Sequence, residues 1–270
     1  MAHFGATLRL LRAGAGIGLR ELAQRIGVSG AYLSRVEHGH DAVPTPDRLL
    51  AIARELDVPP PLLLELAEQT GPAVSSYVKQ EPAAGALFLE IAKRDLRAPD
   101  LARVRAFLDR EFPTGRPKTG DRASLRQLLS AERVVAGLEC QRLDDLVEVA
   151  VSRLSWTPSP SPGQLVQQVL AREAEAPSML GFGVYAPHAV VRGAAPAAVL
   201  LSLGWPLPFP TPDGQPIRMA VFLLSGQTGR PHLNALVQVA RLARGNFAEA
   251  IRGLTSPARI LARLEAWEAC

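Results

Sequence analysis

The density of helix start and stop signals in residues 4–68 constrains this chain more than any other feature. "FGATLRLLRA" places Phe4, Leu8 and Leu11 on one helical face. "LRELAQRIG" does the same with Leu19, Leu22, Ala23 and Ile26, and Gly27 ends it, where a positive φ is expected. Ser29 caps the next run, "GAYLSRVEHG", which Gly39 closes. Thr45 and Pro46 open "PDRLLAIARELDV" with a cap and a proline at the first helical position. "PPPLLLELAEQTG" repeats the same grammar. The segment reads as a string of short helices.

Beyond it the pattern changes twice. Residues 72–84 read as a connector, followed by helices in "GALFLEIAKRDL" and "PDLARVRAFLDREF". Pro113–Ser124, "PTGRPKTGDRAS", has the composition of a domain linker. After the linker, "SLRQLLSAERVVAGL" and "RLDDLVEVAVSRL" read as amphipathic helices, and "SPSPGQLVQQVLAREAEA" as a loop entering another. Short apolar runs then follow, "FGVYAPHAVV", "AAVLLSL" and "IRMAVFLLS", separated by turns such as Pro212-Asp213-Gly214. Three helical segments finish the chain. This half reads as α/β with both faces of its sheet covered.

Composition narrows the setting. A chain of 270 residues, 47% hydrophobic, suffices for one large or two ordinary domains. The net charge of +4 is spread evenly, with no polybasic tail, so charge alone says little about nucleic acid. Cys140 and Cys270 make neither a disulfide framework nor a metal cluster. No leader pattern opens the chain. The longest apolar stretch, Ala194–Phe209, is too short to span a bilayer and carries three prolines. A cytoplasmic protein without metal or cofactor is expected.

The block "LRELAQRIGVSGAYLSRVEHG" resembles the helix-turn-helix of the XRE (lambda-repressor-like) family, over roughly residues 4–68. Leu22 and Ala23 stand where the first helix packs on the second, Leu33 and Val36 face the core, and Glu37-His38-Gly39 matches the closing "E-x-G". The resemblance implies an ion pair between Arg12 and Glu37. It implies double-stranded DNA as partner, bound as a homodimer on a palindromic site. Gly30, Ala31 and Arg35 then face base edges, and Ser29, Tyr32 and Ser34 take phosphate or flanking contacts. Gly30 and Ala31 carry no hydrogen-bonding side chain, so direct readout falls largely on Arg35. Gly18 replaces the usual Ser or Thr cap.

The second half resembles the enzyme IIA domain (mannitol/fructose/nitrogen type) of the bacterial sugar phosphotransferase system, over about residues 125–268. "AREAEAPSMLGFGVYAPHA" carries the RE and PH elements, and "HLNALVQVARL" the second histidine. The resemblance implies that His188 accepts a phosphoryl group, that His232 supports it and that Arg172 stabilises the phosphoryl charge. The phosphocarrier protein HPr, or another protein, becomes a possible partner. The residue types suit that chemistry. A neutral imidazole is a good nucleophile toward phosphorus, and a guanidinium is a planar donor fork for phosphate. Tyr185 stands where the family has a small residue, and its size suits filling the pocket or covering the imidazole.

The expected architecture is multidomain. An all-α helix-turn-helix domain occupies 1–70, a helical connector and linker 71–124, and an α/β enzyme-IIA-like domain with a mixed sheet flanked by helices 125–270. The expected function is a sequence-specific transcriptional regulator, rather than an enzyme, controlled by phosphorylation of His188 or by ligand binding. Two alternatives stay open: an inactive IIA-like scaffold for dimerisation or partner binding, and a phosphoryl relay component. By itself His188 reads as an ordinary half-buried strand histidine, and only the RE and HLNAL elements around it bring the phosphoryl acceptor level with that reading.

Overall fold

The computed structural model describes residues 2–67, 77–78, 81–94, 96–111, 124–156 and 160–268. The linker expected over Pro113–Ser124 lies, up to residue 123, outside the described residues, as does most of the connector expected over 72–84.

Five helices open the chain: α1 (Ala2–Gly14), α2 (Leu19–Arg25), α3 (Gly30–Glu37), α4 (Pro46–Glu55) and α5 (Pro60–Leu66). Their boundaries follow the local signals. Gly27 turns the chain between α2 and α3 at φ +69. Ser29 Oγ accepts the Tyr32 amide at 3.1 Å and so caps α3. Phe4, Leu8, Leu11, Leu22, Leu33, Val36, Leu49 and Ile52 bury the core of this unit. Helix α1 is buried beyond its Phe4–Leu8–Leu11 stripe, because Ala6, Thr7 and Leu10 are also at most 6% exposed. A helix covered on all sides needs a second packing partner.

Helices α6 (Pro82–Lys93) and α7 (Ala98–Glu111) follow. Then come α8 (Leu125–Leu128), a 3-10 turn at Ala131–Arg133, and strand β1 (Val134–Leu138). The amphipathic helix expected over Ser124–Leu138 is therefore corrected. Val134 and Val135 lie in parallel register with Leu200 and Leu201, and Gly137 adopts φ +69. Two adjacent β-branched residues and a left-handed glycine favour the sheet over a helix.

The remaining elements are α9 (Leu143–Ser152), α10 (Pro162–Glu175), β2 (Met179–Gly181), β3 (Val184–Tyr185), β4 (His188–Val190), β5 (Ala197–Leu207), β6 (Ile217–Ser225), α11 (Arg230–Arg244), α12 (Phe247–Ala250) and α13 (Pro257–Glu268). The "FGVYAPHAVV" run forms two short strands, broken at Pro187, rather than one, and a turn through Phe182 and Gly183, both at positive φ, precedes β3. The mixed sheet runs β1-β5-β6-β3-β2, with β4 also paired to β6. Side-chain alternation sorts its faces. Tyr185, Ala220, Phe222 and Leu224 pack with α9 and α10. Met219, Val221 and Leu223 pack with α11, α12 and α13, and the same apolar cluster continues into the first five helices. Helix α1 lies against α11 and β2, which supplies its second partner. Among the described residues no helix is long and apolar enough to cross a membrane.

Candidate functional site

Strand β4 and the first turn of α11 bring two histidines together. His188 pairs in register with Leu223, on the sheet face that α11 covers. His232 is the third residue of α11, after Pro231 has started that helix. Their ring centroids stand 5.4 Å apart at a tilt of 43°. His188 is 1% exposed and His232 2%.

Hydrogen bonding orients both rings. His188 Nδ1 lies 3.2 Å from the Ala186 carbonyl oxygen. A carbonyl only accepts, so Nδ1 carries the proton and Nε2 keeps its lone pair. His232 Nδ1 stands 2.8 Å from Ser225 Oγ at the end of β6. Neither Nε2 has a hydrogen-bond partner. Ser225 was not read from the sequence. Its only signal there is its place at the strand end, seven residues before His232.

Arg172, on the last turn of α10, donates Nη1 to the His188 carbonyl oxygen at 3.2 Å. Burial, then the Arg172 charge, then His232 lower the His188 pKa to about 3. Burial and Arg172 lower that of His232 to about 4. Both imidazoles are therefore neutral at pH 7. The structure thus gathers two buried histidines, His188 and His232, and the half-buried Arg172, which lie far apart in sequence, into one group.

Tyr185 does not cover these rings. Its side chain belongs to the opposite sheet face, among the α9 and α10 residues. Burial, then the Glu173 carboxylate, push its phenol upward. Glu173 is itself buried, accepting the Ser178 amide and hydroxyl at 2.7 Å each. The alternation of a strand settles this: Tyr185 aligns with Ala220, and His188 with Leu223.

The second site is the exposed face of α3. Ala31 and Arg35 are exposed, and Gly30, Tyr32 and Ser34 half-buried, while Ser29 is occupied in capping. Arg35 Nε donates to Asp41 Oδ1 at 3.0 Å, so the expected base-reading guanidinium already has an anionic partner. Arg48 stacks over the Tyr32 ring at 5.2 Å and donates to its hydroxyl at 3.3 Å. Beneath this face, Arg12 holds Glu37 with two bonds, Nε to Oε1 at 2.6 Å and Nη2 to Oε2 at 2.8 Å. A buried carboxylate met by a planar fork fixes α1 against α3.

Comparisons with known proteins agree with both halves. A family described as "Helix-turn-helix domain" matches residues 3–66. A structure of the nitrogen regulatory protein IIA-Ntr from Neisseria meningitidis is 24% identical, covers 52% of this chain and 98% of its own, and aligns at TM-score 0.47. A PTS IIA domain from Streptococcus pyogenes M1 GAS is 21% identical over 53% of this chain and 97% of its own, at TM-score 0.44. The clp gene regulator ClgR from Corynebacterium glutamicum is 31% identical over 42% and 94% of the two chains, at TM-score 0.22. No curated protein matches the chain. The family "Phosphoenolpyruvate-dependent sugar phosphotransferase system, EIIA 2" matches residues 127–267, more than half of the chain. With a helix-turn-helix domain ahead of a IIA-like mixed sheet, the chain belongs to that EIIA 2 family.

Proposed function

We propose that this protein is an XRE-type, dimeric transcription regulator in the cytoplasm, controlled by a phosphoryl group on His188. Residues 1–70 bind DNA, 71–124 connect, and 125–270 receive the signal. The observation that carries the reading is the fixed tautomer of His188, whose Nε2 lone pair is free beside Arg172. A carrier such as HPr, phosphorylated on a protonated histidine ring, is the donor. Its P–N bond breaks as the P–N bond to His188 Nε2 forms. The donor ring leaves as neutral imidazole, and His188 becomes the phosphorylated, protonated ring, so no proton need be exchanged. Arg172 offsets the added charge of about −1.5 to −2.

The dimer is supported by α6 and α7. Leu87, Phe88, Leu101, Phe107 and Leu108 on these helices are 42–57% exposed. So many large apolar side chains facing water suit a second copy.

Incubation with phosphoenolpyruvate, enzyme I and HPr tests the reading. Acid-labile phosphate is expected on the wild type and not on His188→Ala. The absence of label on the wild type favours the second reading, an inactive scaffold, which the near-complete burial of both rings also suits. A main role in phosphoryl relay is disfavoured by the helix-turn-helix domain.

A further inference from the structure

The His232 side of the histidine pair abuts the helix-turn-helix unit of the same chain. Helix α1 ends against α11 at Gly14. A Cβ placed on Gly14 would meet Leu236 Cδ1 at 2.4 Å and His232 Nε2 at 3.4 Å. The glycine lets the backbone come close without displacing the tip of Leu236, and a single methyl already reaches contact with the orphan nitrogen. Around this point the two units are pinned by polar contacts. Arg9 donates to the Pro177 carbonyl at 3.1 Å, Arg230 pairs with Asp57, and Arg241 pairs with Glu65 at 3.0 Å.

We propose that the helix-turn-helix unit and an incoming phosphoryl donor compete for this one surface of the IIA-like domain. On this proposal, phosphoryl transfer to the histidine pair and release of the DNA-binding unit are a single event. It rests on the phosphohistidine reading above and adds the partner that occupies the site at rest. Sterics and charge point the same way. A phosphoryl group is larger than a methyl, which would already crowd Leu236 and touch His232 Nε2. It is also anionic, and the C-terminal end of α1, which carries partial negative charge, faces it. Arg12, at that end, is engaged with Glu37 and with the Ile17 carbonyl. Arg172, bonded to the His188 carbonyl within the IIA-like domain, attracts the phosphoryl group. The modified histidine therefore holds to its own domain and repels α1.

The contact is built to be reversible. A small groove of about 100 Å³ remains along the seam, lined by Phe4, Thr7 and Leu66 from one unit and Leu180, Phe182 and Ala240 from the other. The pinning ion pairs are half-exposed, with Asp57 at 55% and Glu65 at 42% side-chain exposure. Half-exposed pairs hold weakly, as expected of an interface between domains of one chain. The exposed face of α3, with Ala31 and Arg35, lies away from the seam, so docking leaves it accessible. What release changes is the position of that face relative to the rest of a dimer. By reciprocity, whatever factor docking takes from phosphorylation, phosphorylation takes from docking.

The test uses the full chain and two small probes that need no docking protein. Potassium phosphoramidate transfers a phosphoryl group to imidazole and releases ammonia. Diethyl pyrocarbonate acylates any accessible neutral imidazole. The Asp57→Asn/Glu65→Arg variant loosens the seam, and asparagine keeps the positive φ at residue 57 tolerable. Both probes are expected to label His188 or His232 roughly tenfold faster in this variant than in wild type, from two ion pairs worth a few-fold each. The charge swap Glu65→Arg/Arg241→Glu is expected to restore slow labelling, which a merely destabilised variant would not do. Equal rates in wild type and variant overturn the competition and leave the phosphohistidine reading standing. Faster acylation with no phosphoryl label on either protein keeps the closure but sinks the proposal through that reading.

Discussion

His188 and His232 face each other across 5.4 Å with both Nε2 atoms buried and without hydrogen-bond partners. Burial beside Arg172 keeps both rings neutral in the folded protein, at pKa values of about 3 and about 4. In the unfolded chain the same rings titrate near ~6.5. Below that pH the unfolded state binds protons that the folded state does not, so stability falls as pH falls. The slope reaches roughly 1.4 kcal/mol per pH unit for each histidine. It ends near about pH 4 for His232 and about pH 3 for His188. Urea melts from pH 7 to pH 4 are expected to be flatter for His188→Gln/His232→Gln than for wild type. Glu173, whose carboxyl is raised by burial, cancels in that difference.

Arg12 and Glu37 form the most buried ion pair of the helical unit, with side chains 13% and 1% exposed. Arg12→Met strands the Glu37 carboxylate. A loss of ~3–5 kcal/mol is expected, and the double change Arg12→Met/Glu37→Leu should recover part of it. Thermal melts followed by circular dichroism measure both. A loss below half a kilocalorie would mean that the pair does not lock α1 to α3.

Arg35 is paired with Asp41, and on the proposed reading DNA competes for it. Arg35→Ala is expected to cost ~1–3 kcal/mol in binding to the preferred site and to relax its sequence preference. Asp41→Ala frees the guanidinium and removes a negative charge, so it should tighten binding, most at low salt. Fluorescence anisotropy at two salt concentrations reads both effects. Unchanged affinity and preference in Arg35→Ala would remove this residue from the interface.

Phe88 and Phe107 are each 48% exposed on the connector helices. If a second copy covers them, Phe88→Asp/Phe107→Asp weakens self-association by about 30-fold or more, the usual effect of losing a buried aromatic anchor. Sedimentation equilibrium decides this, and an unaltered association constant would place the dimer contact elsewhere.

Tyr185 sits on the other sheet face from the histidines. Tyr185→Phe removes a buried hydroxyl that faces the Glu173 carboxylate without a well-formed hydrogen bond, so stability should change by less than about 1 kcal/mol. Labelling of His188 by phosphoramidate should also keep its wild-type rate. A marked acceleration would show that this tyrosine controls access after all.

Local chemistry alone was enough for much of this protein. The Ser29 cap, the Gly27 turn and the Pro46 start determine the short helices, because each acts within one turn of chain, while Thr45 makes no side-chain cap bond. The RE, PH and HLNAL elements pointed to Arg172, His188 and His232 before any of them could be seen to meet. Where contacts are made at a distance, the local signal failed. Val134–Leu138 carries a helical pattern yet pairs with β5, since sheet hydrogen bonds, two β-branched valines and a left-handed Gly137 outweigh the apolar periodicity. Tyr185 stands beside the proline–histidine pair in sequence, but strand alternation turns it to the opposite face. Gly14 looks like an ordinary helix end until tertiary packing brings it against His232. Sequence determined which groups are present and which helices carry them. Only the tertiary structure decided what closes the histidine site, because long-range packing is not encoded in local spacing.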